Sequence, residues 1–400
     1  MNLETMQVAL GLEALPPAFS AVFEEIRDSW QSRSSRILSE TYLREALDNA
    51  LCLDAYRQLI LKAAAEIRGN QPLELLICLL EGWIRRGGDL SVYSNGGYIA
   101  PQGEGLAYDF LHLFPAIPTM AESVAHLRGR GVPEDVIRDT MGEYDFCVNM
   151  CLERQGKPRF DRGRLNWITR LIRNQLIRIG RFKYDLPGNY LQGVRVYKHR
   201  DGTLTVLANG LQIHKSGRIL GSVGHKDEKG SFLAEITETA TAIIGFPAVD
   251  GLVKPQPVTL SKEEWQLCLS EESTFPRIHI PSDGSFDKET IAASFARARE
   301  IFDRCYPDYP YQGFFCSTWL LSQDLKALLK PSSHILGFQS FFTPVPHRSG
   351  GGLVFSFAFG MGGQIPEDLD ALPENSSLQR AVKTHYKNGG YVHEGAGFFL

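Results

Sequence analysis

Residues 277–321 carry the most information about the fold, and they read RIHIPSDGSFDKETIAASFARAREIFDRCYPDYPYQGFFCSTWLL. The first five residues are a short apolar β-type run that ends at a proline. A polar turn follows, and Asp287 is a good N-cap for a helix. Apolar residues then recur at helical spacing over 288–304, and 311–321 has the aromatic and apolar residues of a buried strand. This order predicts a right-handed crossover between two parallel strands.

Parallel units of strands and helices bind their ligands beyond the carboxyl ends of the strands. In this stretch those ends lie near Pro281 and Trp319. We therefore expect the functional site of the protein at these two positions.

The composition is that of an ordinary folded protein. The chain has 400 residues, of which 43% are hydrophobic and 22% are charged, and this length predicts two or three domains. The formal net charge of -4 gives no electrostatic reason to expect nucleic acid as a partner. No stretch approaches the roughly 18 apolar residues of a membrane span, and the first residues lack a basic signal-peptide start, so no membrane association is expected.

The cysteines indicate the compartment. There are seven, scattered along the chain, which argues against a disulfide framework and favours a reducing cytoplasm. Cys147 and Cys151 are four residues apart, but one pair cannot complete a zinc site and no second pair lies nearby, so no metal is expected. Nothing in the sequence indicates the oligomeric state.

Hydrophobic periodicity divides the chain into two parts. Residues 1–165 read as helices, with a glycine-rich passage that includes residues 94–97. Residues 166–400 read as a mixed α/β domain around a central twisted sheet. Its first strands, separated by Gly and Asn turns, are predicted at 182–186, 194–197, 203–208 and 211–214. The fold class is therefore α+β, with an all-helical N-terminal domain.

Further elements are expected after the crossover. A short helix is predicted over 322–330, then an antiparallel pair of strands over 334–343 and 353–359, and a helix over 376–387. The terminal segment 391–400 completes the order.

This order of elements resembles the GNAT superfamily of N-acyltransferases. The phrases RIHIP (277–281), YQGFFCSTWLL (311–321), ILGFQSFFTPVP (335–346) and SLQR (377–380), with IGRFKY (179–184) before them, resemble a largely uncharacterised bacterial family. Its members combine a helical N-acyltransferase N-terminal domain with a GNAT-like C-terminal domain.

The resemblance implies acyl-CoA or acetyl-CoA as co-substrate and a small-molecule amine as acceptor. In the GNAT fold the pantetheine arm lies between two splayed parallel strands, and the pyrophosphate meets the start of the intervening helix, which suits a phosphate electrostatically. The implied cofactor contacts are Ile280, Ser282, Gly284, Ser285 and Phe315. The GNAT signature Arg/Gln-x-x-Gly-x-Gly/Ala is absent from residues 281–287, where carboxylates crowd the helix start instead.

Three residues on the crossover strands are candidates for the chemistry. Acyl transfer to an amine requires a base for the ammonium and an acid for the leaving thiolate. A histidine side chain can titrate near neutral pH, and His279 alternates with its isoleucine neighbours, so it is the candidate base. Cys316 and Ser317 point to opposite faces, and the one that faces the cleft is the candidate acid or acyl acceptor. The alternative for His279 and Cys316 is packing within the sheet.

Other residues are candidates for binding the acceptor. His214 follows a turn-rich hairpin and Glu235 begins a polar segment, so both are placed by the resemblance beside the cleft. Trp319 lies at the strand end. The alternatives are exposed polar positions for the first two and packing for Trp319.

Two other functions remain open from the sequence. Without its cofactor loop, the GNAT-like domain would be a catalytically inactive small-molecule or protein-binding module. The aromatic residues Tyr309, Tyr311 and Trp319 would also suit a carbohydrate-binding protein. Hydrolase and nucleotide triphosphatase functions are disfavoured, because neither a Gly-x-Ser-x-Gly elbow nor a phosphate-binding Gly-x-x-x-x-Gly-Lys loop is present.

Overall fold

A computed structural model of the chain describes residues 1–12, 14–91, 93, 101 and 103–400. These residues form two compact units, one of residues 1–180 with 301–305 and the other of residues 181–300 with 306–400. Residues 94–97 of the glycine-rich passage lie outside the described residues. Within the described part, no helix combines the length and apolar character that a bilayer crossing requires.

Apart from one short strand near residue 180, the secondary structure of the first unit is helical, as the sequence predicts. Its helices are Leu3–Ala9, Ala18–Ile26, Trp30–Ile37, Glu40–Ala50, Arg57–Ile67, Gln71–Arg85, Leu106–Phe110, Ile117–Gly129, Glu134–Met141, Glu143–Gln155 and Arg162–Ile172. A 3₁₀ turn covers Asp54–Tyr56, and strand β1 (Leu176–Ile179) follows the last helix.

Helix Gln71–Arg85 forms the centre of this unit. The Asn70 side chain accepts a hydrogen bond from the backbone N–H of Leu73, and a proline occupies the first turn, so the helix start is well specified. Residues 73 and 75–84 are all buried. A helix that is apolar all round is a core helix, and its neighbours Ala18–Ile26 and Trp30–Ile37 pack against it.

Residues 40–67, which have apolar residues at helical spacing, form two helices in the structure, Glu40–Ala50 and Arg57–Ile67. Leu51 and Leu53 adopt left-handed backbone conformations, with φ of 60° and 65°. The backbone N–H of Leu53 donates to the Asp145 carboxylate at 3.0 and 3.1 Å. This long-range hydrogen bond stabilises a break that periodicity alone does not reveal.

The second unit contains the sheets. Its strands are β2 (Phe182–Asp185), β3 (Gly188–Asn189), β4 (Val194–His199), β5 (Leu204–Ala208), β6 (Leu211–Ile213), β7 (Phe232–Ala234), β8 (Thr237–Glu238), β9 (Ala242–Val249), β10 (Leu252–Val253), β11 (Val258–Ser261), β12 (Trp265–Leu269), β13 (Thr274–Phe275), β14 (Ile278–His279), β15 (Phe314–Thr318), β16 (Thr343–Val345) and β17 (Gly395–Phe399). Its helices are Lys288–Cys305 (the crossover helix, whose last five residues belong to the first unit), Leu325–Leu328, His334–Gln339, Leu353–Ala358 and Ser377–Lys387, with a 3₁₀ turn at Trp319–Leu321.

Most strand pairs are antiparallel. Strands β10, β9, β5, β4 and β12 are neighbours in that order, and β8 and β11 also pair with β9. A second sheet has the order β15–β17–β16, and β2 pairs with β14. One core cluster joins the two larger sheets, since Val196 and Val206 pack with Phe315 and Phe398.

The structure confirms the predicted order of strand, helix and strand, and it confirms that the two strands run parallel where they meet. Residues Arg277 and Phe315 form a parallel bridge, and the helix between the two strands begins after the Asp287 cap, whose carboxylate accepts the Thr290 N–H at 2.7 Å. The strands are shorter than predicted, because β14 ends at His279 and β15 ends at Thr318.

The predicted final pair of strands is wrong. Residues 334–339 and 353–358 are helices, and only Thr343–Val345 of this region is a strand, which pairs with β17. The segment LVFSFA is apolar on every face, so its periodicity cannot distinguish a helix from a strand. The helix over 376–387 is confirmed as Ser377–Lys387, with a capping box between Ser376 and Gln379.

Candidate functional site

The two crossover strands separate after a single step. The bridge joins Arg277 to Phe315, and the Phe315 N–H donates to the Pro276 carbonyl at 3.1 Å. In a parallel ladder the next pair would be His279 and Ser317. These residues pair elsewhere instead, His279 with Lys183 of β2 and Ser317 with Ala396 of β17. An opening between β14 and β15 therefore begins at His279 and Ser317.

The backbone of Ser317 points into this opening. Backbone N–H groups alternate sides along a strand, so the N–H of Ser317 points the same way as that of Phe315, which donates across the bridge. In the described part of the chain, no backbone group pairs with Ser317 on that side. The opening thus presents an unsatisfied strand edge, which an extended ligand with amide groups can pair with.

His279 is held by a carboxylate. Its Nε2 atom lies 2.9 Å from Oδ2 of Asp185, and the guanidinium of Arg277 donates to the same oxygen at 2.7 and 3.0 Å. The Asp185 side chain is 12% exposed, whereas His279 is 23% exposed. The carboxylate therefore orients an imidazole that still reaches solvent.

Two aromatic rings pack beside the Arg277 guanidinium at the bridge between the strands. The Tyr190 ring stacks on Phe315 with centroids 5.2 Å apart and planes 14° apart. The Arg277 guanidinium lies 5.2 Å from the centroid of Tyr190. The cation and the two rings form one stack at the point where the strands separate, and each contact of this kind stabilises by about 0.5–1 kcal/mol.

Cys316 and Ser317 differ in accessibility. Cys316 is fully buried and its Sγ atom lies 3.6 Å from the Ile278 carbonyl oxygen, so burial raises the pKa of the thiol above its ordinary value. Ser317 is half-buried. Of the two candidates, Ser317 is the one whose side chain a ligand can reach.

The turn before the crossover helix carries most of the candidate cofactor contacts. Ser282, Gly284 and Ser285 are exposed, Ile280 is half-buried, and Gly284 has a φ of 82°, a conformation that favours glycine. The Arg181 Nε atom donates to the Ser285 carbonyl at 2.7 Å, and its guanidinium carbon lies 5.2 Å from the Phe286 ring centroid. A cation that the sequence did not reveal therefore lies at the helix start, beside the carboxylates.

Asp287 caps the crossover helix. Its carboxylate accepts from the Thr290 N–H at 2.7 Å and the Thr290 hydroxyl at 2.8 Å, and also from the Ser285 hydroxyl. These hydrogen bonds, with that of Ser285 the strongest, hold the pKa of Asp287 well below its ordinary value. The carboxylate occupies helix N–H groups that a phosphate would otherwise bind.

A second group of an arginine, an aspartate and a histidine lies at the carboxyl end of β15. The Asp324 carboxylate accepts from Arg218 at 2.8 Å and lies 2.8 Å from Nδ1 of His393. Burial raises the pKa of Asp324, but the hydrogen bonds from His393 and the charge of Arg218 outweigh it and lower the value to about 2. The carboxylate is ionised at neutral pH.

Two more imidazoles adjoin His393. The ring of His225 lies 5.3 Å from that of His393 and 4.9 Å from that of His214. The Ser216 hydroxyl oxygen lies 2.8 Å from Nδ1 of His214 and 3.3 Å from Nδ1 of His225. Within the described residues, no three His, Cys, Asp or Glu side chains converge as metal ligands do. Each of the three imidazoles has ring nitrogens that can donate or accept a proton.

Two candidate acceptor residues lie elsewhere. Glu235 is exposed between β7 and β8. Trp319 is 7% exposed and packs in a hydrophobic cluster with Leu325, Val354 and Phe355. The structure thus brings His279, Ser317 and Phe315 together at the opening, and places His214 in the row of imidazoles.

Sequence reasoning missed Asp185, Asp324 and His225. Asp185 ends a strand that was predicted, but its pairing with His279 joins distant parts of the chain. Asp324 and His393 are likewise brought together only by the pairing of β15 with β17. A local signal existed for His225 alone, which follows a glycine-rich hairpin region that also contains His214.

Comparison with known families and structures places this geometry in context. The family described as the GNAT-like C-terminal domain matches residues 176–399, more than half of the chain, and the chain belongs to this family. Among curated proteins, none matches the chain.

Solved structures share the fold over the whole length. One is an acyltransferase mutant in complex with octanoyl-CoA, 20% identical, with a TM-score of 0.62 over 100% of this chain and 99% of the other. Another is an acyltransferase in complex with decanoyl-CoA and teicoplanin, 21% identical, with the same TM-score and coverage. At this identity the similarity concerns the fold.

Proposed function

We propose that this member of the GNAT-like family is an acyl-CoA-dependent N-acyltransferase, which moves an acyl group from the coenzyme A thioester to the amine of a small molecule. The observation that carries the proposal is the ladder that ends after one bridge, Arg277 to Phe315. The fold shared with acyltransferases that hold acyl-CoA supports it.

The pantetheine arm would occupy the opening between β14 and β15. Its two amides can pair with the strand edge at Ser317, as an added strand would. Phe315 and Ile280 would border the arm at the two strands. Each amide hydrogen bond would contribute about 1 kcal/mol.

The chemistry needs two proton transfers and one nucleophilic attack. The ammonium of the acceptor loses a proton, the amine attacks the thioester carbonyl, and the C–S bond breaks as the nitrogen loses its second proton. His279, oriented by Asp185, is the proposed proton carrier at the opening. The half-buried Ser317 hydroxyl is proposed to donate a hydrogen bond to the departing sulfur. Cys316 is too buried to exchange protons readily, and we assign it to packing.

Arg181 is the proposed partner of the pyrophosphate. The GNAT glycine signature is absent, and Asp287 occupies the helix start. The Arg181 residue is 8% exposed, so its guanidinium beside Ser285 would act on the phosphate mainly through its positive charge, which offsets the charge of Asp287. Exposed Ser282 and Gly284 leave room for the approach of a charged group.

The alternative is an inactive GNAT-like binding module, and Asp287 is the observation that favours it. A thermal-shift experiment on the full chain separates the two, with CoA, acetyl-CoA, octanoyl-CoA and decanoyl-CoA as probes. Saturating acyl-CoA at a hundred times its Kd should add about 2.7 kcal/mol of stability. The absence of a shift with all four compounds would remove the acyltransferase proposal.

The acyl-CoA compounds that raise the melting temperature are then tested as donors in acyl transfer. Thiol release from acyl-CoA is followed with amine acceptors, including teicoplanin and simple primary amines, and the product is identified by mass. Binding without transfer to any amine supports the binding module. We further propose a reducing compartment such as the cytoplasm, since none of the seven cysteines, all within the described residues, forms a disulfide.

A further inference from the structure

The hydrogen bonds around Ser216 determine which nitrogen carries the proton in two histidines. The backbone N–H of Ser216 donates to Nδ1 of His214 at 3.1 Å, so this Nδ1 is an acceptor and the ring proton lies on Nε2. The Ser216 hydroxyl, 2.8 Å from the same atom, also donates to it. The hydroxyl oxygen is then free to accept, and Nδ1 of His225, 3.3 Å away, donates to it. Donation from Nδ1 leaves Nε2 unprotonated when the ring is neutral, and the lowered pKa of His225 favours this neutral form at neutral pH.

His393 is in a different state. Its Nδ1 lies 2.8 Å from the Asp324 carboxylate and its Nε2 lies 3.1 Å from the Val223 carbonyl oxygen. Both partners are acceptors, so only an imidazolium satisfies both. The ring is 6% exposed, and its charge is balanced by Asp324. One charged ring therefore lies beside the neutral ring of His225.

Burial and the neighbouring charged groups shift the pKa of His225. Burial lowers the pKa of His225, the positive charges of His393 and Arg218 lower it further, and the negative charge of Asp324 raises it. The neutral form is thus favoured at neutral pH, in agreement with the hydrogen bonds. The neighbouring cations weaken His225 as a base, but they keep its ring neutral, so Nε2 has a lone pair that can accept a proton.

The position of His225 suits an acceptor that approaches the opening. Gly395 pairs with Thr318, the last residue of β15, and His393 precedes Gly395 by two residues, which is about 7 Å of extended chain. His225 adjoins His393 and is half-buried, so its ring is accessible to a ligand. It therefore lies near the carboxyl end of β15, the end of the strand toward which the opening between β14 and β15 extends.

We propose that Nε2 of His225 takes the first proton from the ammonium of a primary amine acceptor. The proposal rests on the proposed acyl transfer and adds to it a residue that prepares the nucleophile. The N–H bond of the ammonium breaks, its electron pair stays on nitrogen, and the proton passes to His225 and then to water. The amine next attacks the thioester carbonyl carbon and forms the C–N bond. As the C–S bond breaks, the second proton of the amine passes by way of His279 to the departing sulfur. The sum is amide, free coenzyme A thiol and one proton.

The protonation states are tested without any assay of activity. Long-range ¹⁵N–¹H NMR spectra of the full chain with labelled histidine report the state of each ring at pH 7. His225→Gln and His393→Gln variants assign the signals. We expect His225 neutral with its proton on Nδ1, and His393 charged. A charged His225, or a proton on its Nε2, would overturn the proposal.

A kinetic comparison tests the role itself. With octanoyl-CoA as donor, benzylamine is a cation at neutral pH, whereas hydroxylamine is uncharged and needs no first deprotonation. His225→Gln should lower transfer to benzylamine by about a hundredfold. Transfer to hydroxylamine, corrected for the uncatalysed reaction, should stay unchanged. His199→Gln, which alters a half-buried histidine paired with Asp201 in the same unit, is the control.

Each outcome decides between the claims. Equal losses with both nucleophiles, or no loss with either, would contradict the role of His225. Loss with benzylamine alone supports it, above all if raising the pH restores the rate. If the wild-type protein acylates neither compound nor teicoplanin, the proposed acyl transfer fails instead, and the NMR spectra still decide the state of His225.

Discussion

His279 and Ser317 hold corresponding register positions on two parallel strands whose ladder ends one step before them. One is a histidine oriented by a carboxylate, and the other presents an unpaired backbone N–H to the opening. A reactive thioester held between them would have a proton carrier on one side and a hydrogen-bond donor on the other.

Replacement of His279 by alanine should lower acyl transfer by about a hundredfold with little change in KM for octanoyl-CoA, because the group moves protons rather than binding substrate. The measurement is thiol release under saturating octanoyl-CoA, with benzylamine as acceptor. His199→Ala is the matched control, since it also removes a half-buried imidazole paired with an aspartate. Unchanged turnover in the His279 variant would exclude this residue from the mechanism.

Proline at position 317 should weaken the binding of coenzyme A about fivefold, the effect of losing one hydrogen bond of about 1 kcal/mol, while the protein stays folded. The Ser317 N–H faces the opening and takes no part in the ladder with β17, so its loss removes only the donor offered to pantetheine. Proline at the neighbouring Cys316 would instead remove a ladder hydrogen bond and destabilise the sheet. Circular dichroism and CoA thermal shifts distinguish the two variants. Normal CoA affinity in Ser317→Pro would contradict pairing at this edge.

Asparagine at position 185 should lower kcat about tenfold and leave KM nearly unchanged, since Asp185 positions His279 and does not itself contact substrate. It should also reduce the free energy of unfolding by about 2 kcal/mol, because the Arg277 guanidinium loses its charged partner. Urea unfolding and steady-state rates measure the two effects. Asp185→Glu retains a carboxylate and should recover part of kcat; a loss confined to stability would assign Asp185 a structural role alone.

The contribution of Asp324 to stability should depend on pH in the acid range. Its pKa is about 2 in the folded protein, below the value of about 3.9 expected for an unfolded chain. A depressed pKa stabilises the folded state above the unfolded value, and this stabilisation is lost as the pH falls from about 4 to about 2. Urea unfolding of wild type and Asp324→Asn should therefore differ at pH 6 and converge toward pH 3. A difference that grows as the pH falls would show that the sign is wrong.

The crossover was predictable because its signals are local. A helix cap at Asp287, an amphipathic helix and two short apolar runs are each readable within a few residues, and the structure has all of them. Residues 334–339 and 353–358 are six-residue helices, too short and too rich in apolar residues for their periodicity to distinguish a helix from a strand. Glu394 accepts hydrogen bonds from the backbone N–H groups of Gly351 and Leu353, a long-range contact that stabilises the start of the second helix.

The site was predictable only in part, for the same reason. Alternation along the strands indicates that His279 and Ser317 are worth attention. The partners Asp185 and Asp324 come from distant strands and turns, and no pattern in one sequence pairs them with their histidines. The state of His225 depends on a hydroxyl nine positions earlier and on a neighbour near the other end of the chain, so it requires coordinates.

Strand β14 is anchored to β2 and β15 to β17, and in the described part of the chain β14 and β15 are hydrogen-bonded to each other at the Arg277–Phe315 bridge and through the Cys316 thiol, which lies at the Ile278 carbonyl. Moving β14 and β15 apart would leave both anchoring ladders intact and break these few hydrogen bonds, at a cost of about 1–2 kcal/mol. Chains of different thickness or stiffness can therefore be admitted without unfolding either sheet. A bound pantetheine would supply the hydrogen bonds that are absent between β14 and β15. Hydrogen exchange of the backbone amides in both strands should therefore slow together when coenzyme A binds.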